Sequence, residues 1–381
     1  MPAQDRNSPL PRLLTFLLGI TLAAFVAGQL LSAAPRLPPA VLLHLLFAVG
    51  ILPLILGSIT WFTPVLTRSG APEPITLGPP LLALAAGLML LYALTGQFQL
   101  YPIAASMTLA AVLWISWWIR GRAKKSFGAP HPGLLWYRLA LGALALGLAA
   151  ILLGAFWPAQ WLPLRRLHLH LNLLGFIGLT ALGTWRVLLP TVGRFDDPAS
   201  GGWLQRQWKP LTAGILLIAG GAAWWSPLSI VGLLLWVLPL SGLLRHPLYD
   251  HRNELINWHG AAPALALALL GLCVLLLAAA GHALGLIAAT PLLSAFILMF
   301  LLPLVTGAAT HLLPLWRFPE STSRQQALRQ KIGHFGGLRG LAFLAAGLLT
   351  LLGTGWEWVL ATMALMQFLL MIGVGLAQSN T

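Results

Sequence analysis

Apolar residues run through this chain in long blocks separated by short polar breaks. A bilayer core takes about 20 apolar residues per helix. Blocks of that length fall at 13–34, 40–62, 79–96, 101–119, 134–156, 167–189, 210–226, 228–244, 259–281, 285–311, 338–354 and 357–377. The pattern predicts an all-α polytopic membrane protein with about twelve transmembrane helices. No Pro- or Ser-rich linker divides it, and the longest loops, about 190–209 and 312–337, are too short to suggest a soluble domain. The polar stretch 246–258, which contains His246 and His251, is expected to form a surface half-helix.

Composition agrees with that reading. The chain is 58% hydrophobic and 8% charged, with mean hydropathy +0.85, against about 25% charged residues in a soluble domain. The net charge of +14 sits in short loops, so topology explains it and a nucleic-acid partner does not. With the N-terminus in the cytoplasm, 19 of the basic residues, Arg6 and Arg12 among them, fall on the cytoplasmic side. Three fall outside: Arg36, Arg165 and Arg166. The positive-inside rule therefore places both termini in the cytoplasm. The expected location is an inner membrane of bacterial type, with the lipid bilayer as first partner. The first apolar block has no small-residue cleavage site and reads as a retained helix. Trp61, Trp117, Trp118, Trp157, Trp161, Trp316, Trp356 and Trp358 fall near span ends, where interfacial tryptophans are expected. The single cysteine, Cys273, excludes an intramolecular disulfide, a cysteine-held iron–sulfur cluster and covalent heme attachment through Cys-x-x-Cys-His.

A repeat organises the blocks. Gly57 leads to Pro64, Gly183 to Pro190 and Gly307 to Pro314, at intervals of 126 and 124 residues between glycines. Arg68 matches Arg194, and Arg12 matches Arg138, while Arg317 is one place out of register. Internal repetition decides a fold. It predicts three four-helix units within one membrane domain, approximately 1–126, 127–252 and 253–381. Thirteen residues before each glycine stand His44, His170 and Ser294.

Two histidines in one register of two apolar helices suggest a ligand pair. Ionisable groups within a span are costly and usually face the bundle interior. As neutral imidazoles, His44 and His170 could ligate heme iron or copper; the alternative is hydrogen bonding to neighbouring helices. His168 points about 200° away from His170 on a regular helix. It is open to pairing with Asn172, to serving as a second metal ligand, or to sitting at the interface. Arg165 and Arg166 precede His170 by roughly 6–8 Å along a helix. They could clamp heme propionates or snorkel to headgroups. His282, in the outer loop, is a further candidate for the outer cluster. His311, with His259 and His334, is a candidate for a second, inner site. His131, His246 and His251 read as solvated loop residues.

The three-times-four arrangement and the segment 165–194 ("RRLHLHLNLLGFIGLTALGTWRVLLPTVGR") resemble the heme-copper oxidase subunit I superfamily and its NnrS-like relatives, the nitric-oxide-response membrane proteins. The resemblance implies a twelve-helix fold in three arcs, with helices 2, 6 and 10 lining the redox centres. It also implies heme b, with copper as a second cofactor. Arginines above the axial histidine would neutralise the propionates. The chain departs from that pattern at span 10, which has Ser294 in register and no His-x-His. Standard oxygen or NO reduction is therefore not expected.

The acidic residues Asp5, Glu73, Asp196, Asp197, Asp250, Glu254, Glu320 and Glu357 all lie in termini, loops or span ends, which argues against a proton pump or antiporter. The expected function is a heme-binding membrane protein, with copper binding left open. It would act in electron transfer, with a respiratory-complex partner, or in sensing or handling nitric oxide or another diatomic gas. The alternatives are a copper or small-solute permease without heme and a cofactor-free structural subunit of a respiratory complex.

Overall fold

A bilayer offers the backbone no hydrogen-bond partners, so an apolar block must satisfy its own amides by forming a helix. The structure, a computed structural model, describes residues 9–32 and 37–379, without the side chains at 32, 246–248 and 379. Asp5, Arg6, Arg36 and the side chain of His246 lie outside the described residues. All regular structure among the described residues is helical.

The chain divides into two compact units, Met1–Gly183 and Thr184–Thr381. The first contains α1 (Leu10–Ser32), α2 (Pro39–His44), α3 (Leu52–Thr67), α4 (Gly78–Leu94), α5 (Tyr101–Lys124), α6 (Gly133–Phe156) and α7 (Trp161–His170). Helix α8 (Leu179–Gly193) crosses the division. The second unit contains α9 (Ser200–Ala223), α10 (Pro227–Asp250), the single turn α11 (Arg252–Leu255), α12 (Ala262–Ala283), α13 (Ala289–Ala295) and α14 (Leu302–Arg317). It ends with α15 (Thr322–Ile332), α16 (Gly336–Leu352) and α17 (Glu357–Ser379).

Among the described residues, ten helices are long and apolar enough to cross a membrane, and α15 with α16 makes an eleventh if that pair, bent by 42°, is one span. Helix α9 stands where the seventh span is expected. Its first half carries Gln205, Arg206, Gln207 and Lys209, which keeps it below the apolarity of the others. The expected surface half-helix is instead the end of α10 followed by α11. Trp61 and Trp316, expected at the interface, are buried.

Three π-helical segments interrupt the spans: Leu45–Ile51 between α2 and α3, Leu171–Gly178 between α7 and α8, and Phe296–Leu301 between α13 and α14. Each closes with an amide bonded five residues back, from Leu52 to Phe47, Leu179 to Leu174 and Leu302 to Ile297. Gly57, Gly183 and Gly307 follow the starts of these segments by 12, 12 and 11 residues. Pro53 and Pro303 lack the N–H that an α-helix would return to Val49 and Met299, and this favours the wider turn. The middle segment has Leu179 at that place, so the proline is not required. Small residues on neighbouring helices press against the segments. Gly87 of α4 faces the Ala48 carbonyl, and a Cβ there would stand 2.5 Å from its oxygen; Gly271 of α12 lies still tighter on the Met299 carbonyl. In the first unit the Thr21 hydroxyl donates to Gly50 O at 2.9 Å, satisfying one carbonyl of the widened turn.

Two helix ends also match. Arg68 and Arg194 both turn left-handed, at φ 49° and 59°. The next amide bonds back to the repeated proline in each, Ser69 to Pro64 O at 3.0 Å and Phe195 to Pro190 O at 3.1 Å. Phe318, in the third position, keeps φ −130°, and its own amide bonds to Pro314 O at 3.0 Å.

Candidate functional site

His44 is the last residue of α2 and His170 the last of α7, each directly before a π-helical segment. His44 Nδ1 lies 2.7 Å from Ala40 O, and His170 Nδ1 lies 2.8 Å from Arg166 O. A carbonyl only accepts, so Nδ1 carries the proton in both rings and Nε2 carries the lone pair. That tautomer, fixed by a backbone carbonyl, is the one in which an imidazole ligates through Nε2.

His168 has the same tautomer through a different partner, with Nδ1 2.9 Å from Gly147 O on α6. Of the three roles open to it, pairing with Asn172 is realised. The Asn172 amide donates to His168 O at 2.8 Å and lies 3.1–3.2 Å from both ring nitrogens. His168 is also an electrostatic neighbour of His44. His168 is thus the α7 histidine that feels His44. Gly147 permits the close approach of Asn172: a Cβ there would stand 3.3 Å from Asn172 Nδ2.

Arg165 and Arg166 are exposed on α7, and their side chains join no ion pair or hydrogen bond among the described residues. His282 belongs to the last turn of α12 rather than to a loop, and its Nδ1 is taken by Ile287 O at 2.7 Å. His311 is half-buried on α14 beside Arg329. His259 and His334 do come together, with ring centroids 5.0 Å apart, and the Phe335 amide donates to His259 Nδ1 at 3.1 Å. Among the described residues no three His, Cys, Asp or Glu side chains form a group that could hold a metal ion.

His131, expected to be solvated, is tied at both ends. Its amide donates to Leu66 O at 2.8 Å, and its Nδ1 accepts from Gly133 N at 3.1 Å. Burial, and then the Arg68 charge, hold its pKa below the ordinary histidine value. His251 is likewise not free: its ring stacks on Phe195 at 3.9 Å.

Two buried arginines of the second unit escape a reading by sequence blocks. Arg186 on α8 pairs with Asp197, which folds back from the following loop, and both side chains are 4% exposed. Arg339 on α16 is 2% exposed. It donates to Gln367 Oε1 at 2.9 Å and stacks over Phe368 at 4.6 Å. The available signal was position: both arginines lie within or at the start of an apolar block. No protein-family model matches the chain, and no curated protein matches it.

Proposed function

We propose that this chain is a membrane heme protein built from three four-helix repeats, with His44 and His170 as the axial ligands. The observation that carries the reading is their equivalence. Both sit at one register position, both close the helix before a π-helical segment, and both fix the same tautomer through the carbonyl four residues back. π-Segments within α-helices concentrate at functional sites.

The donor set suits heme. Two neutral imidazoles serve as axial ligands, while a protein copper site usually takes more ligands than any grouping among the described residues supplies. Arg165 and Arg166, exposed one turn before His170, would meet the propionates with bidentate hydrogen bonds. His168, held by Gly147 and Asn172, orients the α7 end and is the alternative second ligand. A bound heme supplies one-electron chemistry and, with one axial position open, a seat for a diatomic gas. The matching π-segments and the left-handed helix ends at Arg68 and Arg194 support the repeat.

The test is the visible spectrum of protein purified from heme-supplied cells, oxidised and then reduced. A stoichiometric Soret band, lost in His44→Ala and in His170→Ala but kept in His168→Ala, is the expected result. A colourless wild-type protein removes the reading. A change of the reduced spectrum on adding NO or CO identifies an open gas position.

A further inference from the structure

The second unit gathers two arginines and a histidine of its own. Arg194 follows α8 in its left-handed turn, His311 lies on α14, and Arg329 lies on α15. Helix α14 packs on α15. Arg329 is an electrostatic neighbour of both Arg194 and His311. Arg329 is held in place. Leu328 and Ile332, on either side of Arg329, are fully buried. The Ser321 hydroxyl caps the start of α15 by accepting from Arg324 N at 3.3 Å.

Among the described residues no acid pairs with either arginine. Asp197, the nearest acid in sequence to be buried, is committed to Arg186. Asp196 and Glu320 are exposed. None of the three side chains joins an ion pair or hydrogen bond among the described residues. The Arg329 Nε–H is shielded from solvent and has no acceptor. A guanidinium does not give up its proton to relieve such a situation. Two like-charged arginines that influence one another, Arg194 exposed and Arg329 with a buried orphan donor, make a position of positive potential.

We propose that Arg194, His311 and Arg329 form a binding site for a phosphate-type oxyanion. The guanidinium fork matches a tetrahedral oxyanion in two parallel hydrogen bonds, and the imidazole adds a third donor. The anion comes from one of two sources, an anionic lipid headgroup or free phosphate. Basic pockets at the ends of membrane helices take headgroups in this way.

The experiment uses the full-length protein in two arms. Inorganic phosphate is titrated calorimetrically into detergent-purified protein. In parallel, retention of phosphatidylglycerol against phosphatidylcholine is read by native mass spectrometry. Phosphate binding without lipid preference identifies the free anion, and selective retention of phosphatidylglycerol identifies the headgroup. In either case Arg194→Gln with Arg329→Gln lowers affinity by about tenfold or more, the usual loss for charged hydrogen bonds. Arg120→Gln, an exposed arginine on α5, changes nothing. Absence of both bindings in the wild type overturns the site, as does a double variant that binds like the wild type. Should the double variant not fold, hydrogen exchange of the wild type with and without the bound probe decides. Added protection over residues 311–332 supports the site, and protection confined elsewhere overturns it.

Discussion

The helices that carry His44 and His170 and the one that carries Ser294 share a backbone and differ in chemistry. All three widen into a π-helical segment, close it with the same five-residue bond, and continue to a glycine and a proline. In the first two a histidine ends the helix before the widening. In the third the register position holds a serine, and the segment forms all the same. The widened turn therefore does not need a histidine and belongs to the fold. The histidines are an addition to it in two places. A close glycine accompanies the device on both sides of the comparison, Gly87 against the first segment and Gly271 against the third. What separates the sites is the side chain at the helix end and the hydrogen bond that sets its tautomer.

The largest expected effect tests that separation. On the proposed heme reading, His44→Ala or His170→Ala is expected to remove the Soret band, because no other side chain would take the place of the lost imidazole. Ser294→Ala leaves band and melting temperature as they were. Loss of the band in Ser294→Ala would merge the two classes of helix and end the comparison.

Much of this was legible in the sequence. Apolar block length located ten helices long and apolar enough to cross a membrane among the described residues, short of the twelve expected, and the glycine–proline interval pointed to the three helices that widen. The π-segments were not legible, because widening a turn by one residue leaves no composition of its own. Only Pro53 and Pro303 hint at it, and the middle segment lacks even that. The tautomers of His44, His168 and His170 depend on backbone carbonyls, which no residue pattern displays. The burial of Arg186 was not legible, because its partner, Asp197, lies in a loop that folds back on it. The pairing of His168 with Asn172 was among the readings available, since four residues is one helical turn.

Next in size is the packing on the widened turns. An added methyl at Gly87 or Gly271 meets a backbone carbonyl, which has no flexible end to move aside. Gly87→Ala and Gly271→Ala are each expected to cost about 1–3 kcal/mol, the range for overpacking, read as a lower melting temperature in detergent. Gly19→Ala, on α1 with open space around it, costs nothing. Similar losses at Gly87 and Gly271 keep the third segment as much a part of the fold as the first. A tolerated Gly271→Ala beside a damaging Gly87→Ala would make the third segment incidental.

A smaller effect concerns the entry to the spans. His131 Nδ1 accepts from Gly133 N at 3.1 Å, and 126 residues further on Asn257 Oδ1 accepts from His259 N at 3.0 Å. The same side-chain turn, from residue i to the amide of i+2, is made by a titrating residue in one place and a non-titrating one in the other. Because burial and Arg68 depress the pKa of His131, the unfolded chain binds its proton first. Its contribution is complete above about pH 6.5, the unfolded value, and is lost as the pH falls through the lower folded value. His131→Asn copies the later turn and should flatten the stability profile below about pH 6.5. An unchanged pH profile would mean that the first turn does not depend on the histidine.

The smallest effect comes from an ion pair at the surface. Glu73 accepts from Arg122 at 2.8 Å and from Trp118 Nε1 at 3.0 Å, and its side chain is 57% exposed. Its slight burial would raise the carboxyl pKa, but the hydrogen bonds from Arg122 and Trp118 outweigh it and bring the value to about 2. The pair's stabilisation is present above the unfolded pKa, about 4.3, and fades as the pH falls towards 2. At this exposure solvent screens the pair, so Glu73→Gln is expected to cost less than about 1 kcal/mol at neutral pH, with the difference from wild type shrinking in acid. Arg122 keeps its bonds to Gly70 O at 3.0 Å and Ala71 O at 2.8 Å without the carboxylate. A loss as large as that of the glycine variants would therefore show that this surface pair, rather than the packing of the widened turns, holds the first unit together.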